Sequence, residues 1–320
     1  MAIAPSKPPA RARESSRTAP GKIANARIEI NVVEHCNLSC RACSHLSPLM
    51  PRRMVSPRQL TDELGLLGRV YHARWVRLVG GEPLLHPQLL EVIEAARQTK
   101  IADRVSVVTN GILLTKMGDE FWRAVDAVEV SLYPGKALAA DARRHCKEQA
   151  HRHDVDLRLV EITEFRESFS TLGTDDDALV RRIYSRCEIA HVWRCHTVVD
   201  GYFYKCSPAY FLPKAIPACA SFDNSSGIRI SDSERFAADL RAYLDSPEPL
   251  PTCRHCLGTA GKRFAHTQVK RSDFSSQQDR SVEDLVSRRR LMVSRFSPLR
   301  LRMAEALARL PLPQGGRRLK

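Results

Sequence analysis

The sequence of 320 residues predicts an α/β fold, an incomplete parallel (β/α)6-type barrel followed by a small cysteine-rich α+β subdomain. Between residues 27 and 176, short runs rich in β-branched residues alternate with amphipathic stretches, a pattern typical of parallel βαβ units. The hydrophobic fraction of 43% is sufficient for a core of this size. Beyond residue 177 the alternation stops, and a cysteine-containing region with a hairpin signal follows.

Five strands are predicted from the β-branched runs, with helices between them. The stretch after Ser56-Pro57 has a typical helix start, because serine caps a helix and proline fits its first turn. Residues 87–99 and 114–124 are amphipathic in the same way. Parallel strands joined by right-handed crossovers bring their carboxyl ends to one face, where the active site of such folds lies. The predicted strands are residues 26–33, 75–80, 104–110, 125–132 and 155–162.

The smaller region is predicted to begin with a helix over residues 177–186. Asp200-Gly201 lies between two short strand-like runs and predicts a tight β-hairpin. A loose stretch, a helix, a CxxC element and a basic amphipathic helix are expected to follow, at residues 208–232, 233–245, 253–256 and 282–310.

The formal net charge of +14 is carried by the two ends of the chain. Residues 1–27 hold six Lys or Arg against one acid, and residues 257–320 hold fifteen against five. The part between them is close to neutral, which disfavours a nucleic-acid-binding domain, because such domains carry their basic stripe on the folded body. The expected organisation is a disordered basic arm, a barrel, an auxiliary subdomain and a basic, partly helical tail, at residues 1–26, 27–176, 177–266 and 267–320.

Ten cysteines are the most informative part of the composition. No apolar run approaches the roughly 18–20 residues of a membrane helix, and the N-terminal stretch lacks the apolar core of a secretory signal. We therefore expect a cytoplasmic protein. Clustered cysteines in that compartment indicate metal or redox chemistry rather than disulfides.

Cys36, Cys40 and Cys43 follow the first predicted strand with the spacing CxxxCxxC. Three thiolates can hold a 4Fe–4S cube and leave one iron open for a substrate or cofactor. A zinc knuckle is the alternative, with His35 or His45 as the fourth ligand, although zinc prefers paired CxxC elements.

With further motifs, these cysteines resemble those of radical S-adenosylmethionine (radical SAM) enzymes, and the resemblance covers about residues 28–165. Gly80-Gly81-Glu82-Pro83 after the second strand resembles the family's GGEP motif, and Thr109-Asn110-Gly111 after the third resembles its TNG turn. The family usually has an aromatic residue just before the third cysteine, where this chain has Ala42. The residues that the resemblance implies for cofactor binding are Gly80, Gly81, Glu82, Pro83, Thr109, Asn110, Ser131 and Arg158.

The resemblance implies a specific chemistry and specific partners. In the family, the open iron chelates S-adenosylmethionine, and one-electron reduction releases a 5′-deoxyadenosyl radical. The implied role of Glu82 is to offer an acceptor to the amino group of the cofactor, and that of Arg158 is to pair with its carboxylate. A flavodoxin or ferredoxin is the expected reductant. No general acid or base can be named from the sequence.

A second group of cysteines lies in the smaller region. Its spacing resembles the twitch subdomain, a shortened relative of the SPASM domain, in which four cysteines bind an auxiliary 4Fe–4S cluster. Cys195 is a fifth candidate that could replace Cys187 or stay free, and a four-cysteine zinc site is the competing interpretation. The candidate ligands are Cys187, Cys195, Cys206, Cys253 and Cys256.

The expected function is hydrogen abstraction from a small molecule, with dehydrogenation, epimerisation or deoxygenation of a sugar, cyclitol or similar polyol as the leading hypothesis. This substrate class follows from family analogy alone. Modification of a ribosomally made peptide is the second hypothesis, disfavoured because residues 1–27 lack the pattern of a peptide-recognition module. A zinc or iron–sulfur protein that binds nucleic acid through its basic ends is the hypothesis from another class, and the GGEP and TNG motifs argue against it.

Overall fold

The computed structural model describes residues 21–136 and 138–292. Its strands are β1 (Ile23–Val33), β2 (Tyr71–Gly80), β3 (Ala102–Thr109), β4 (Ala127–Leu132), β5 (Asp156–Glu161), β6 (Glu164–Arg166), β7 (Thr197–Val199), β8 (Tyr202–Tyr204), β9 (Gly227–Arg229) and β10 (Arg263–Ala265). Eight of them form one sheet in the order β5-β4-β3-β2-β1-β7-β8-β9, and β10 pairs with β6.

The α-helices connect and cover these strands. They are α1 (Pro57–Leu67), α2 (Leu89–Gln98), α3 (Asp119–Ala124), α4 (Ala140–Arg152), α5 (Asp177–Tyr184), α6 (Glu188–His191), α7 (Pro208–Ala215), α8 (Phe236–Asp245), α9 (Val282–Leu285) and α10 (Arg288–Met292). Ser56 caps α1 by accepting from the Gln59 backbone N–H, and Pro57 occupies its first turn, as predicted. None of the described helices is long and apolar enough to cross a membrane.

The five strands predicted for the barrel are confirmed as parallel neighbours, β1 to β5. The sixth parallel member is β7, which pairs with β1 on the side away from β2, not with β5. After β5 the chain forms β6, whose Phe165 packs edge-on against Tyr133 and His266. The fold is therefore α/β with a mostly parallel, incompletely closed sheet, and β6 lies beside the carboxyl end of β4 instead of extending the sheet.

Alternate residues of the parallel strands face two environments. Apolar side chains such as Ile28, Leu78 and Val107 are fully or almost fully buried in the core beneath the helices. On the other face of the same strands lie polar side chains, among them Glu29 and Arg77, which form an ion pair. The concave side of the sheet is therefore polar, as expected for a barrel that binds a hydrophilic ligand.

The predicted hairpin at Asp200-Gly201 is confirmed by the antiparallel pairing of β7 with β8. Both turn residues have positive φ, 55° at Asp200 and 75° at Gly201, which is the geometry that favours Asp-Gly in a two-residue turn. The predicted helices at 177–186 and 233–245 correspond to α5 and α8.

Two boundaries differ from the prediction. β1 begins at Ile23, so the last residues assigned to the basic arm belong to the barrel, while residues 1–20 lie outside the described residues. At the other end, the predicted tail packs into the body as far as the structure describes it, with Phe274, Gln278 and Leu285 buried.

The basic helix predicted for 282–310 is two short helices up to Met292, and residues 293–310 lie outside the described part of the chain. The helices α9 and α10 are separated at Val286 and Ser287. Val286 forms a β-bridge with Gly261, and Ser287 N–H donates to the Ala260 carbonyl, so the backbone of the 260–261 turn interrupts the helical hydrogen-bond series.

Candidate active site

The loop that carries Cys36, Cys40 and Cys43 leaves the carboxyl end of β1, which is where the sequence placed it. Burial raises the pKa of the Cys36 and Cys40 thiols to about 12, and the charges of the other loop cysteines add to this effect. Burial is also the largest effect at Cys43, but the hydrogen bond and charge of His45, together with backbone hydrogen bonds at Ser47 and His45, jointly hold the pKa of Cys43 below its ordinary value. Since each thiol influences another, the three side chains lie in one neighbourhood.

Six of the thirteen buried polar atoms that have no partner among the described residues lie in or near this loop. Five belong to loop side chains and one to the C-terminal region: His35 Nδ1, Ser39 Oγ, Arg41 Nε, His45 Nε2, Ser47 Oγ and His266 Nδ1. Buried polar atoms are rarely left unpaired unless a water, ion or ligand completes the site. Three cysteines surrounded by such atoms fit a sulfur-ligated cluster with a polar cofactor on it. No three or more Cys, His, Asp or Glu side chains in residues 21–136 and 138–292 form a group that could hold a single metal ion.

The GGEP residues bring the end of β2 against the start of the cysteine loop. Gly80 has φ +137°, and a Cβ there would lie 2.1 Å from the Val33 carbonyl oxygen. A Cβ on Gly81 would lie 1.9 Å from the His35 carbonyl oxygen, and the Gly81 N–H donates to Val33 over 2.7 Å. Both glycines are therefore required by close backbone approach, which fixes the loop to the sheet.

The Glu82 carboxylate is fully buried and accepts hydrogen bonds from groups of the protein itself. Its Oε1 accepts from the Thr109 hydroxyl at 2.6 Å and from the Leu84 N–H at 3.0 Å, and its Oε2 accepts from the Asn110 N–H at 2.8 Å. Burial raises the pKa of Glu82 despite these three donors. In the structure the carboxylate joins the ends of β2 and β3, and the expected contact with a cofactor ammonium stays a prediction. Its neighbour Pro83 starts a short 3-10 helix and is buried.

The TNG turn completes the link to the cysteine loop. The Asn110 side-chain Nδ2 donates to Asn37 Oδ1 at 2.7 Å and lies 3.8 Å from Cys36 Sγ. Gly111 has φ +80°, a conformation that glycine adopts without strain. Thr109 and Asn110 are thus brought together with Cys36 and Glu82, as the order of the motifs predicted.

Ser131 and Arg158 lie on the concave face at different depths. Ser131 is near the carboxyl end of β4, opposite Val160 of β5. Arg158 lies opposite Glu129, two residues closer to the amino ends of these strands. The Arg158 guanidinium makes ion pairs with Glu129 at 3.9 Å and Asp156 at 3.4 Å. The structure therefore does not bring Arg158 together with the cysteine loop, because its register position directs it to the carboxylates deeper in the sheet.

An aromatic group beside the cysteines was not anticipated. Tyr133 stacks on His266 with ring centroids 4.6 Å apart, and Phe165 packs edge-on against both rings. Burial raises the pKa of Tyr133, and the cysteine charges reinforce the shift, which places its hydroxyl near the loop. The position of Tyr133 after the fourth strand was the only available sequence signal, since His266 comes from the predicted end of the auxiliary subdomain.

Four of the five candidate ligands in the smaller region lie together. Burial is the main cause of the raised pKa values of Cys206 and Cys253, and the neighbouring cysteine charges add to it. Cys187 and Cys256 are among those neighbours. The charge of Cys187 also contributes to the raised pKa of Cys256. Cys195 is elsewhere, where Glu29 is the charge that most raises its pKa after burial. Between the two candidates that the sequence left open, the structure therefore groups Cys187 and not Cys195 with the others.

The backbone around this group is tightly packed. A Cβ on Gly258, which has φ +50°, would lie 2.8 Å from the Cys187 sulfur, and the Gly258 N–H donates to Cys256 Sγ at 3.4 Å. Lys205, next to Cys206, is buried and donates to the Tyr184 hydroxyl and the Ser246 carbonyl, both at 2.9 Å. Burial lowers the pKa of Lys205, although the nearby cysteines oppose this.

A cavity of about 230 Å³ opens on the concave face towards the amino ends of the parallel strands. It is lined by charged and polar side chains together with one indole, and Arg77 joins two of its carboxylate neighbours, Glu29 and Glu129. The polar and aromatic lining residues are Arg27, Arg74, Trp75, Arg77, Ser106, Glu129 and Arg158.

Comparison with known proteins identifies the domain that carries the three-cysteine loop. Residues 30–169 match the Radical SAM superfamily. A GTP 3′,8-cyclase from Chlorobaculum tepidum is 33% identical over 106 residues, which are 33% of this chain and 32% of that protein. Molybdenum cofactor biosynthesis protein 1 from Bos taurus is 31% identical over 111 residues, 33% of this chain and 17% of that protein. The chain thus spans a third or less of the length of these relatives.

A solved structure of BtrN in complex with AdoMet and 2-DOIA is similar over 81% of this chain and 88% of that chain, with 12% identity and a TM-score of 0.42. The matched residues 30–169 contain the cysteine loop, the GGEP residues and the TNG turn. Members of the superfamily use a 4Fe–4S cluster and S-adenosylmethionine. The part of the chain that matches the superfamily, residues 30–169, is therefore a radical SAM domain, and it lies in the barrel.

Proposed function

We propose that Cys36, Cys40 and Cys43 ligate the 4Fe–4S cluster that activates S-adenosylmethionine. The observation that carries this proposal is the position of three neighbouring thiols at the carboxyl end of β1, in a loop that also holds five unpaired buried polar atoms. When bound, the reduced cluster splits S-adenosylmethionine into methionine and a 5′-deoxyadenosyl radical, which removes a hydrogen atom from a substrate.

The chain's own residues are proposed to orient the cofactor and to protect it. The backbone of Gly80, Gly81 and Pro83 offers polar groups at the end of β2, and Thr109 and Asn110 extend this edge to β3. Ser131 lies at the next strand end, where a ribose or carboxylate oxygen could reach its hydroxyl. Glu82 contributes as a positioning residue, because its carboxylate holds the two strand ends at a fixed separation.

Arg158 is proposed to act on the substrate rather than on the cofactor carboxylate. It lines the cavity on the concave face, towards the amino ends of the strands, together with Arg77 and Glu129. Carboxylate and guanidinium groups form strong charge-assisted hydrogen bonds with hydroxyl groups, and the Trp75 indole offers an apolar surface. Such a lining supports a polyhydroxylated small molecule, a sugar, cyclitol or similar polyol, more than an extended peptide.

We further propose that Cys187, Cys206, Cys253 and Cys256 bind an auxiliary 4Fe–4S cluster. The grouping of four thiols, with backbone approach enforced at Gly258, supports a four-sulfur site. A structural zinc ion is the alternative for the same four ligands, although the described side chains form no group that could hold a single metal ion in their present positions. A flavodoxin or ferredoxin is the proposed source of the electron.

A nucleotide is the second candidate substrate. The cavity has four arginines among its lining residues, which suits a phosphorylated ligand, and sequence relatives of the barrel are GTP 3′,8-cyclases. The two candidates differ in charge. Deoxyadenosine release should be promoted by neutral polyols under the first proposal and by nucleoside triphosphates under the second.

Anaerobic reconstitution with iron and sulfide tests the cluster assignments. The wild-type chain is expected to bind about eight irons and a Cys36/Cys40/Cys43→Ala variant about four, with 5′-deoxyadenosine released only by the wild type after addition of dithionite and S-adenosylmethionine. About four irons in the wild type and none in the variant would assign the second group to zinc or to structure. Zinc without iron, and no deoxyadenosine, would refute the main proposal.

A further inference from the structure

The side chain of Gln268 lies across the cysteine loop and contacts it with both ends of its amide. Its Oε1 accepts from the Ser39 N–H at 2.7 Å, and its Nε2 lies 3.1 Å from Cys40 Sγ. A backbone N–H can only donate, so it fixes the oxygen of the amide on the Ser39 side. The NH₂ group must therefore point at the Cys40 sulfur.

Gln268 is held in this place by its own backbone segment. The loop residue Arg41 donates its N–H to the Thr267 carbonyl at 3.0 Å, and the Val269 N–H donates to the Ser39 carbonyl at 2.8 Å. These two bonds pair Cys40 with Gln268 as an antiparallel bridge. Gln268 is an exposed residue, and strand-like pairing of its backbone with the cysteine loop positions the donor.

A second layer of contacts supports the same pairing. The Arg271 guanidinium donates to the Cys36 carbonyl at 2.7 Å. Arg41 forms an ion pair with Glu167, whose other oxygen accepts from Gln278 at 2.9 Å. The segment of residues 266–271 and the residues behind it therefore close one side of the cysteine loop.

We propose that Gln268 raises the reduction potential of the cluster at Cys36, Cys40 and Cys43 by donating a hydrogen bond to the Cys40 sulfur. This inference rests on the proposed function, in which that sulfur is an iron ligand. Reduction adds negative charge that is shared with the ligand sulfurs, and a hydrogen-bond donor stabilises this charge more in the reduced state than in the oxidised state. Gln268 is a positioning residue in this sense, because it acts on the reaction through the cysteine.

Two substitutions of Gln268 separate the donor from the rest of the side chain. Gln268→Glu keeps an oxygen for the Ser39 N–H and replaces the donor by an anionic oxygen beside the sulfur. Gln268→Leu removes both hydrogen bonds without adding charge. Gln277→Glu makes the same amide-to-carboxylate change in a residue that the structure does not place at the cysteine loop, and it is the matched control.

The measurement is a dithionite titration of the full-length reconstituted chain with redox mediators, followed by electron paramagnetic resonance, with iron counted in each sample. The relevant signal is the one that changes when S-adenosylmethionine is added to a parallel sample. At the potential that reduces half of this cluster in the wild type, the reduced fraction should fall several-fold in Gln268→Leu and further in Gln268→Glu, while Gln277→Glu matches the wild type.

The outcomes separate this inference from the function on which it rests. A wild-type chain that binds iron but shows no signal responsive to S-adenosylmethionine would refute the proposed function, and this inference with it. A responsive signal with equal midpoints in the wild type and Gln268→Glu would refute the role of Gln268 alone. If Gln268→Leu binds less iron than the wild type, the midpoint potential of Gln268→Glu tests the role of Gln268, because this variant retains the oxygen that accepts from Ser39.

Discussion

Replacing Glu82 tests whether its carboxylate is a structural link or a ligand for the cofactor. Glu82→Ala would leave three donors without an acceptor in a fully buried place: the Leu84 N–H, the Asn110 N–H and the Thr109 hydroxyl. An unpaired buried donor costs ~1–3 kcal/mol. Relief of the carboxylate's own desolvation and entry of water reduce the sum, so we expect a loss of roughly 3–6 kcal/mol in the free energy of unfolding.

Glu82→Gln separates the two roles more sharply. The glutamine oxygen can accept from Thr109 and Leu84, but its NH₂ group then faces the Asn110 N–H, and two donors meet. The expected loss is ~1–3 kcal/mol, because one buried donor is left unpaired. If the carboxylate instead served an ammonium group of the cofactor, the same variant would unfold like the wild type and would only bind S-adenosylmethionine more weakly.

The assay is urea unfolding of the cluster-free, reduced protein, monitored by circular dichroism. Glu148→Ala, an exposed change in the middle of α4, is the control and should stay within about 0.5 kcal/mol of the wild type. Because burial raises the pKa of Glu82, ionisation disfavours the folded state. The contribution of Glu82 to the free energy of unfolding is therefore greatest below the unfolded pKa of 4.5, and it declines as the pH rises towards the folded pKa. Glu82→Gln should not show this decline with pH. A free energy of unfolding for Glu82→Ala equal to that of the control would refute the structural link.

Three further predictions concern other parts of the site and the core. Gly81→Ala should cost ~1–3 kcal/mol in urea unfolding and reduce the iron bound on reconstitution, because the new Cβ overlaps the His35 carbonyl; a normal iron content would contradict this. Cys187→Ser should lower the iron content by about half, whereas Cys195→Ser should bind as much iron as the wild type. Burial lowers the pKa of His196 to about 3, so the free energy of unfolding should fall by up to about 1.4 kcal/mol per pH unit as the pH drops below 6.5, a slope that His196→Asn should lose.

The features that the sequence predicted well depend on local patterns. The five parallel strands follow from β-branched runs, the start of α1 from Ser56-Pro57, and the hairpin from Asp200-Gly201, whose positive φ angles few other pairs adopt as easily. The cysteine loop, Gly80 and Thr109 could be assigned to successive strand ends because parallel strands order their carboxyl ends along one edge. Each of these inferences requires only neighbouring residues and one topological rule.

The features that the sequence missed depend on contacts between distant residues. The partners of the Arg158 side chain depend on its register position opposite Glu129. A sequence pattern indicates which face of the sheet a residue occupies, but not its register with the neighbouring strand. The spacing in the sequence uses Cys187 but leaves open whether Cys195 replaces it, and the position of Cys195 beside Glu29, apart from the other cysteines, separates the two. The long helix expected from residue 282 fails because the 260–261 turn supplies competing backbone partners.

The position of residues 266–271 changes how the basic C-terminal region should be regarded. Judged by charge alone, everything from residue 267 resembles a solvated tail whose removal would test binding to nucleic acid. In the structure, however, Thr267, Gln268 and Val269 pair with the cysteine loop, and Phe274 and Leu285 are buried behind them. A truncation at residue 267 would therefore remove a hydrogen-bond donor from Cys40 and open the core, and loss of activity in such a variant would not implicate nucleic acid. A truncation after Met292 removes seven Lys or Arg and one acid while keeping every contact described for the loop, so it is the variant that isolates the effect of charge.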